Sequence, residues 1–238
     1  MTPSVSSSAV RRLALPGGNA LALQCRRSAR ARFMLIRILE AAGTAELVLP
    51  RRVPLAEGLQ FAAENAAWIG RRLAALPPHV PFTEGAIVPI FDRPVGLRRT
   101  EASRGPIVRR DNLLHVPADE ARFAQRVRAW FIAEARHEIS ERVLIMATRI
   151  DRRVKRISIR DPETRWGSCS TLGTLCFSWR LVMAPARVMD YVIAHEVAHL
   201  KAMHHGARFW SLVETLYGDP EPARLWLNEN GLKLRRYG

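Results

Sequence analysis

The stretch YVIAHEVAHLKAMHHGARFW, residues 191–210, contains four of the seven histidines of this 238-residue chain. Within it, the order His-Glu-x-x-His places His195 and His199 four residues apart, with Glu196 between them. On an α-helix, residues four apart share one face, so the two imidazoles point the same way. Glu196 lies about 100° round the helix from His195, where it can reach a metal-bound water without binding the metal itself. The spacing therefore predicts a helix that carries two metal ligands and a general base.

A third ligand has to come from outside this pair, because a catalytic zinc ion needs three protein ligands and one open position. If the helix continued straight, His205 would lie about 80° from His195 and His204 about 180° from it. We therefore expect the helix to bend or end near Gly206, which would bring His205 to the metal. The alternative third ligands are two acidic residues further along the chain, Glu214 and Asp219.

Basic residues outnumber acidic ones, with 37 Lys and Arg against 22 Asp and Glu, and the net charge is +15. Such a charge allows nucleic acid, an anionic membrane surface or an acidic substrate as a partner. Its even spread along the chain favours a solvated basic surface. No apolar run is long enough to span a membrane, so we expect no membrane partner. The sequence leaves the oligomeric state open.

The three cysteines, Cys25, Cys169 and Cys176, are an odd and sparse set that does not suit a disulfide framework. We therefore predict a reducing compartment and a cytoplasmic location. Residues 1–39 contain arginine and serine but no acidic residue, which is also the composition of an organellar transit peptide. We interpret residues 1–24 instead as a short disordered tail that leads into a basic strand.

Hydrophobic periodicity predicts an α+β fold, with a β-rich N-terminal portion over residues 25–117 and a core of helices and a small sheet over residues 118–238. The predicted elements are, in order, a hairpin (32–50), a helix (54–76), short strands (84–117), a long helix (118–148), strands (155–160 and 174–184), the motif helix from Pro185, and two helices (207–217 and 223–228). Segment 148–160 has six basic residues and one acidic residue, and we interpret it as a solvated strand edge that charge protects from aggregation.

Four blocks of the sequence carry a resemblance to a known family: RWGSCS (165–170), WRLVMAP (179–185), YVIAHEVAHL (191–200) and HHGARFW (204–210). Their order and spacing resemble those of the YgjP-like metallopeptidases, predicted metal-dependent hydrolases related to the SprT-type zinc peptidases. The resemblance is specific across residues 155–230 and looser across residues 25–150.

This resemblance implies a zincin-like metallopeptidase core, in which a small sheet lies beside the active-site helix, with Zn2+ as cofactor and a peptide or protein as substrate. It implies Glu196 as the general base. The metal ligands it implies are His195, His199 and His205. His205 is preferred to the acidic alternatives because the family's block usually reads Asn-His-Ser where this chain has His204, His205 and Gly206.

The leading functional prediction is thus a zinc-dependent hydrolase, in particular a peptidase. We expect strand 174–184 to offer a free edge to an extended peptide. The alternative function is a nucleic-acid-associated protein, either a protease that acts on DNA-bound proteins or a DNA binder whose zinc is structural. Cys169 is interpreted as a small buried residue and not as a nucleophile. The candidates for a second oxyanion donor are Tyr191, His204, Arg165 and Tyr217.

Overall fold

The structure, a computed structural model, describes residues 9–15, 18 and 20–238. The chain divides into two compact units between His79 and Val80. The predicted division between residues 117 and 118 differs from this, because apolar side chains of 82–118 join the same core as the helix that follows them. The predicted tail, residues 1–24, also differs, since 9–14 and 20–28 form paired strands. Residues 1–8, 16, 17 and 19 of that tail lie outside the described residues.

The N-terminal unit contains a four-stranded sheet and two helices. Its strands are β1 (Ala9–Ala14), β2 (Ala20–Ser28), β3 (Leu35–Leu39) and β4 (Thr44–Pro50), in the order β1-β2-β4-β3. The antiparallel β3–β4 pair is the predicted hairpin. Alternate apolar residues of the strands, among them Leu23, Leu47 and Leu49, are buried against the two helices that follow.

The single helix predicted over 54–76 is two helices, α1 (Leu55–Glu64) and α2 (Ala66–Ala74). Asn65 separates them, since its side-chain amide donates a hydrogen bond of 2.8 Å to the carbonyl oxygen of Phe61. A side-chain amide that competes for backbone groups in this way is a common cause of helix interruption.

The C-terminal unit is built around a long central helix, α3 (Glu120–Arg149). Asp119 caps its start by accepting a hydrogen bond of 2.9 Å from the backbone N–H of Arg122. One face of α3 is buried at nearly every fourth residue, from Phe123 to Met146. A sheet precedes α3, with strands β5 (Ile87–Ile90), β6 (Arg93–Thr100), β7 (Val108–Arg110) and β8 (Leu113–Pro117) in the order β5-β6-β8-β7.

A second, three-stranded sheet follows α3 and corrects one prediction. Its strands are β9 (Arg156–Arg160), β10 (Gly167–Cys169) and β11 (Thr174–Ser178), in the order β10-β11-β9. Because β11 is paired on both sides, the expectation that 174–184 offers a free edge is wrong. Among the described residues, the outer edges of this sheet are those of β10 and β9. Within the charged segment 148–160, only Arg156–Arg160 forms a strand, and that strand lies at an edge of the sheet.

The strand predicted over 174–184 also ends early, at Ser178, and continues as a short 3₁₀ helix over Trp179–Met183. Its parallel partner β9 stops opposite Ser178, at Arg160. Asp161 and Pro162 come next, and a proline has no backbone N–H with which to extend the ladder. With no partner strand, the chain turns and buries Trp179.

Three helices complete the unit: α4 (Ala186–Ala198), α5 (Ala207–Tyr217) and α6 (Glu221–Leu234). The helix α4 begins directly after Pro185, as predicted, while α6 is longer than predicted. The α+β fold class is confirmed, with a small sheet beside the helix that carries the histidine motif. None of the helices formed by the described residues is both long and apolar enough to cross a membrane.

Candidate metal centre

The motif lies at the C-terminal end of α4. His195 and Glu196 belong to its last turn, and His199 is the residue that caps it. The helix therefore ends before the third histidine, and the following loop returns His205 to the pair. Gly206 has a φ of −85° and open space around its Cα, so the return does not depend on the conformational freedom of glycine.

The three imidazoles of His195, His199 and His205 converge. Their potential ligand nitrogens all lie within 4.8 Å of one another. The Nε2 atoms of His195 and His205 are 3.1 Å apart. The ring centroids of the three histidines are separated by 4.8 to 5.1 Å. No other group of three such side chains forms among the residues that the structure describes.

The protonation states of His195 and His199 suit a metal cation. Burial, and then the neighbouring His199 and His205, lower the pKa of His195 to about 4, so its ring is neutral at pH 7. Burial also lowers the pKa of His199. The Nδ1 of His199 lies 3.1 Å from the carbonyl oxygen of Ala202. If Nδ1 carries the proton of that hydrogen bond, Nε2 keeps a lone pair for the cluster.

The donor set fits a zinc ion. Two imidazole lone pairs that faced each other at 3.1 Å would repel unless a proton or a cation lay between them. Two nitrogens bound to one tetrahedral zinc at the usual bond length lie about 3.3 Å apart. The Nε2 separation of His195 and His205 is close to that spacing, so a cation of this size would satisfy both atoms.

Phe209 of α5 forms the floor under the cluster. Its ring is fully buried and its centroid lies 4.8 Å from that of His195, 4.5 Å from that of His199 and 4.6 Å from that of His205. The neighbouring ring of Trp210 also packs against the motif helix, with its centroid 6.1 Å from that of His195. Because one ring touches all three imidazoles, the helix after the motif fixes their directions as well as covering them.

The other ligand candidates lie elsewhere. His204 is exposed and is not part of the cluster. Glu214 and Asp219 line a separate cavity beside Trp210. The third imidazole that the structure brings to the pair is therefore that of His205.

Glu196 is buried, with 6% of its surface exposed, and faces a cavity of about 380 Å³. We call this space the Glu196 cavity. Burial raises the pKa of Glu196 to about 7, and the positive charge of Arg165 opposes that rise. No residue that the structure describes donates a hydrogen bond to its carboxylate. Glu196 is therefore a carboxyl group that can take up or release a proton near neutral pH, next to the histidines.

Gly167 of β10 has no side chain, and the carboxyl group of Glu196 occupies the space where one would lie. A Cβ atom at Gly167 would lie 2.5 Å from Cγ and 2.6 Å from Oε1 of Glu196. Sequence reasoning did not single out Gly167, although it lies in the block RWGSCS that carries the resemblance. The strand and the helix approach each other closely only because this position has no side chain.

We expect Gly167→Ala to lower turnover by about 100-fold, because a displacement of a reacting group by about 1 Å can have that effect. Zinc content, measured by atomic absorption, should stay unchanged, since the ligands lie on other elements. Gly206→Ala is the matched control: it adds the same methyl group next to His205, where no atom lies within 4 Å. Equal turnover in both variants would contradict the inference that Gly167 sets the position of Glu196.

Two of the predicted oxyanion donors, Tyr191 and Arg165, line the Glu196 cavity. Tyr217 packs against Tyr191, with ring centroids 5.7 Å apart, and His204 lies outside the cavity.

Cys169 stands at the end of β10, and burial followed by the charge of Glu196 raises the pKa of its thiol to about 11. The thiolate is then scarce at pH 7, in agreement with the interpretation that Cys169 is not a nucleophile.

Comparison with known proteins gives a family. Residues 34–230 match the sequence model of the YgjP-like, metallopeptidase domain family. Among solved structures, the chain is similar to the metallopeptidase zymogen abylysin of Pyrococcus abyssi, with 23% identity and a TM-score of 0.36. That similarity covers 42% of this chain and 97% of abylysin. No curated protein matches the chain.

Proposed function

Because this chain belongs to the YgjP-like metallopeptidase family, we propose that it is a zinc-dependent hydrolase that cleaves peptide bonds. The observation that carries this proposal is the convergence of three imidazoles beside a buried carboxyl group that faces an open cavity. Metal-assisted hydrolysis needs a metal site and a proton-accepting carboxylate at one place, and the histidine cluster and Glu196 provide these two groups.

In this proposal, His195, His199 and His205 hold the zinc ion, and Phe209 keeps their rings directed toward it. Three protein ligands leave one position of a tetrahedral zinc for water or substrate. When bound, zinc supplies a Lewis acid that polarises the scissile carbonyl group and lowers the pKa of the attacking water.

Glu196 is the general base. It takes the proton of the attacking water and then passes that proton to the departing amine, so that it returns to its starting state. Burial raises the pKa of this carboxyl group above its ordinary value, which favours its uptake of a proton from water. Arg165 and Tyr191 line the same cavity and are the candidates to stabilise the oxyanion.

The substrate is proposed to lie as an extended chain along the open edge of β10. This strand contacts the Glu196 side chain through Gly167, and it is paired only with β11 among the described residues. Main-chain hydrogen bonds to the edge would align a peptide past the histidine cluster with little dependence on its side chains. The predicted edge of β11 does not have this role, since both of its sides are paired.

The three cysteines are free thiols. We propose that the protein works in a reducing compartment such as the cytoplasm, because three cysteines are an odd and sparse set for a disulfide framework.

The proposal is tested by metal content and activity measured on the same preparations. We expect the purified protein to contain about one zinc per chain, to lose hydrolysis of a peptide library in a chelator, and to regain it with zinc. His205→Ala should bind zinc at least about tenfold more weakly, because it loses one of three ligands.

His204→Ala is the control, since it removes the adjacent imidazole that lies outside the cluster. It should keep wild-type zinc affinity. Unchanged zinc binding in His205→Ala would exclude His205 as a ligand. Hydrolysis that survives complete removal of the metal would overturn the proposed function.

A further inference from the structure

The Glu196 cavity carries two guanidinium groups. Arg165 comes from the loop before β10 and Arg224 from α6, and both line this cavity. Among the described residues, Glu196 itself is the only acidic side chain in its lining. On α6, Arg224, Leu227 and Asn228 share one face, since residues three and four apart lie together. That face directs a cation and an amide toward any group bound beside Glu196.

The position of α6 is fixed by a close contact. Gly231 of α6 lies so near the indole of Trp166 that a Cβ atom there would be 3.0 Å from the ring. Trp166 adjoins Arg165 in the chain, and Arg235 stacks over the same indole at 4.6 Å from its centroid. The two sides of the cavity that supply Arg165 and Arg224 are therefore held together by packing.

A second cavity, of about 300 Å³, lies next to His199, and we call it the His199 cavity. Its lining includes Arg152, Arg153 and Lys201, together with Ser170 and Thr171, and no acidic residue. Arg152 and Arg153 belong to the basic segment that precedes β9. The interpretation of that segment as a protected strand edge applies to β9 and leaves these two arginines without a role.

Among the residues that the structure describes, Arg152, Arg153, Arg165 and Lys201 form no ion pair within hydrogen-bond distance, and Arg165 acts on Glu196 only through its charge. Arg224 is paired with Glu221 at 2.9 Å, but both side chains are about half exposed, so water competes for that pair. Acidic residues are not scarce in this region, since Glu214 and Asp219 line the cavity beside Trp210, which Arg224 lines as well. The charge of the two cavities is thus a local property and not only a consequence of the net charge of the chain.

We propose that the substrate is an acidic peptide whose carboxylates bind in the Glu196 cavity and in the His199 cavity. This inference rests on the proposed hydrolase function. The two cavities contact different members of the histidine cluster, His195 and His199. An extended peptide advances about 3.3 Å per residue, so side chains a few positions on either side of a bond held at the cluster can reach them. Arginine and lysine bind carboxylates through charge-assisted hydrogen bonds.

The test compares matched internally quenched peptides that carry Glu or Gln on either side of the cleaved bond, each with a free or an amidated C-terminus. We expect kcat/KM to be about tenfold higher for each favourable carboxylate, with the preference weakening in high salt. The Glu and Gln pairs report on acidic side chains, and the free and amidated pairs report on a terminal carboxylate.

Arg224→Gln should remove the preference on one side of the bond and Lys201→Gln should reduce it on the other, while the all-Gln peptide is cleaved as before. Arg224→Glu should favour Lys at the position where the wild type favours Glu. Lys233→Gln is the matched control, because it removes a charge from α6 outside both cavities. Equal cleavage of Glu and Gln peptides by the wild type would refute the inference and leave the hydrolase function intact.

Fluorescence anisotropy of labelled peptides on Glu196→Gln protein separates binding from hydrolysis. Preferred binding of the acidic peptide, lost in the double variants with Arg224→Gln or Lys201→Gln, supports the cavities as carboxylate sites even if no peptide is cleaved. Tighter binding of a single-stranded oligonucleotide, lost in the same variants, would assign the cavities to phosphates and overturn the inference.

Discussion

Replacement of Glu196 by glutamine is expected to lower kcat for peptide hydrolysis by about 1000-fold, the typical contribution of a positioned general base. Glutamine has nearly the same volume and can fill the space beside Gly167, but its amide cannot accept the proton of the attacking water. Zinc content should remain at the wild-type level, since Glu196 is not one of the three clustered ligand side chains. Steady-state kinetics and metal analysis of the same sample measure both results.

Glu214→Gln provides the comparison, because Glu214 is an exposed glutamate on the next helix and lines a different cavity. It should change neither hydrolysis nor zinc content. Wild-type turnover in the Glu196→Gln protein would exclude Glu196 as the base and would mean that another group accepts the proton. Loss of zinc together with turnover would point to a role of Glu196 in holding the site together.

Replacement of Arg180 by methionine is expected to destabilise the C-terminal unit by about 3–5 kcal/mol, the usual cost of removing one partner of a buried ion pair. Only 2% of the Arg180 side chain is exposed. Its guanidinium group donates to both carboxylate oxygens of Asp161 at 2.8 and 3.2 Å. It also donates to the carbonyl oxygens of Leu234 and Tyr237 at 2.9 and 2.6 Å.

Methionine fills similar space but removes this donor from Asp161 Oδ1 and from the two carbonyl oxygens, whereas Asp161 Oδ2 keeps its 2.7 Å hydrogen bond from Arg128. A buried acceptor that loses its partner costs more than the hydrogen bond itself contributed. In a unit of this size, the loss corresponds to a fall in Tm of roughly 10 °C, measured by calorimetry. Arg180→Lys should give an intermediate result, since it keeps the charge but not the planar fork.

Arg122→Ala serves as the control for Arg180. Arg122 and Asp119 form an ion pair of 3.8 Å in which both side chains are more than half exposed, so its removal should cost no more than about 1 kcal/mol. Similar Tm values for Arg180→Met and Arg122→Ala would show that the buried network does not stabilise the unit.

Local patterns predicted much of the site. His195, Glu196 and His199 follow from four-residue spacing on a helix, because that geometry depends only on the residues between them. The start of α4 at Pro185 and the cap of α3 at Asp119 are likewise local effects, in which one side chain or one ring decides the backbone nearby. His205 was preferred from the sequence through the family resemblance, while helix geometry alone left acidic alternatives open.

Other features depend on residues far apart in the chain, and no local pattern indicates them. The order β10-β11-β9 decides that the open edge beside Glu196 belongs to β10, and that order depends on the parallel pairing of β9 with β11. The early end of β11 has the same origin, since its partner stops at Arg160. The sequence predicted Arg180 only as one residue of the strand 174–184. In the structure its buried guanidinium group forms hydrogen bonds with Leu234 and Tyr237, more than fifty residues away in the chain.

The sequence by itself determined the chemistry that this protein has available: two histidines and a glutamate on one helix, and enough apolar periodicity for an α+β core. Only the tertiary structure decided where that chemistry acts, by closing Gly167 against Glu196 and by bringing Phe209 under the histidines and Arg224 to the cavity. The physical reason is that helix periodicity is determined by neighbouring residues, whereas the walls of a cavity are determined by packing between elements distant in sequence.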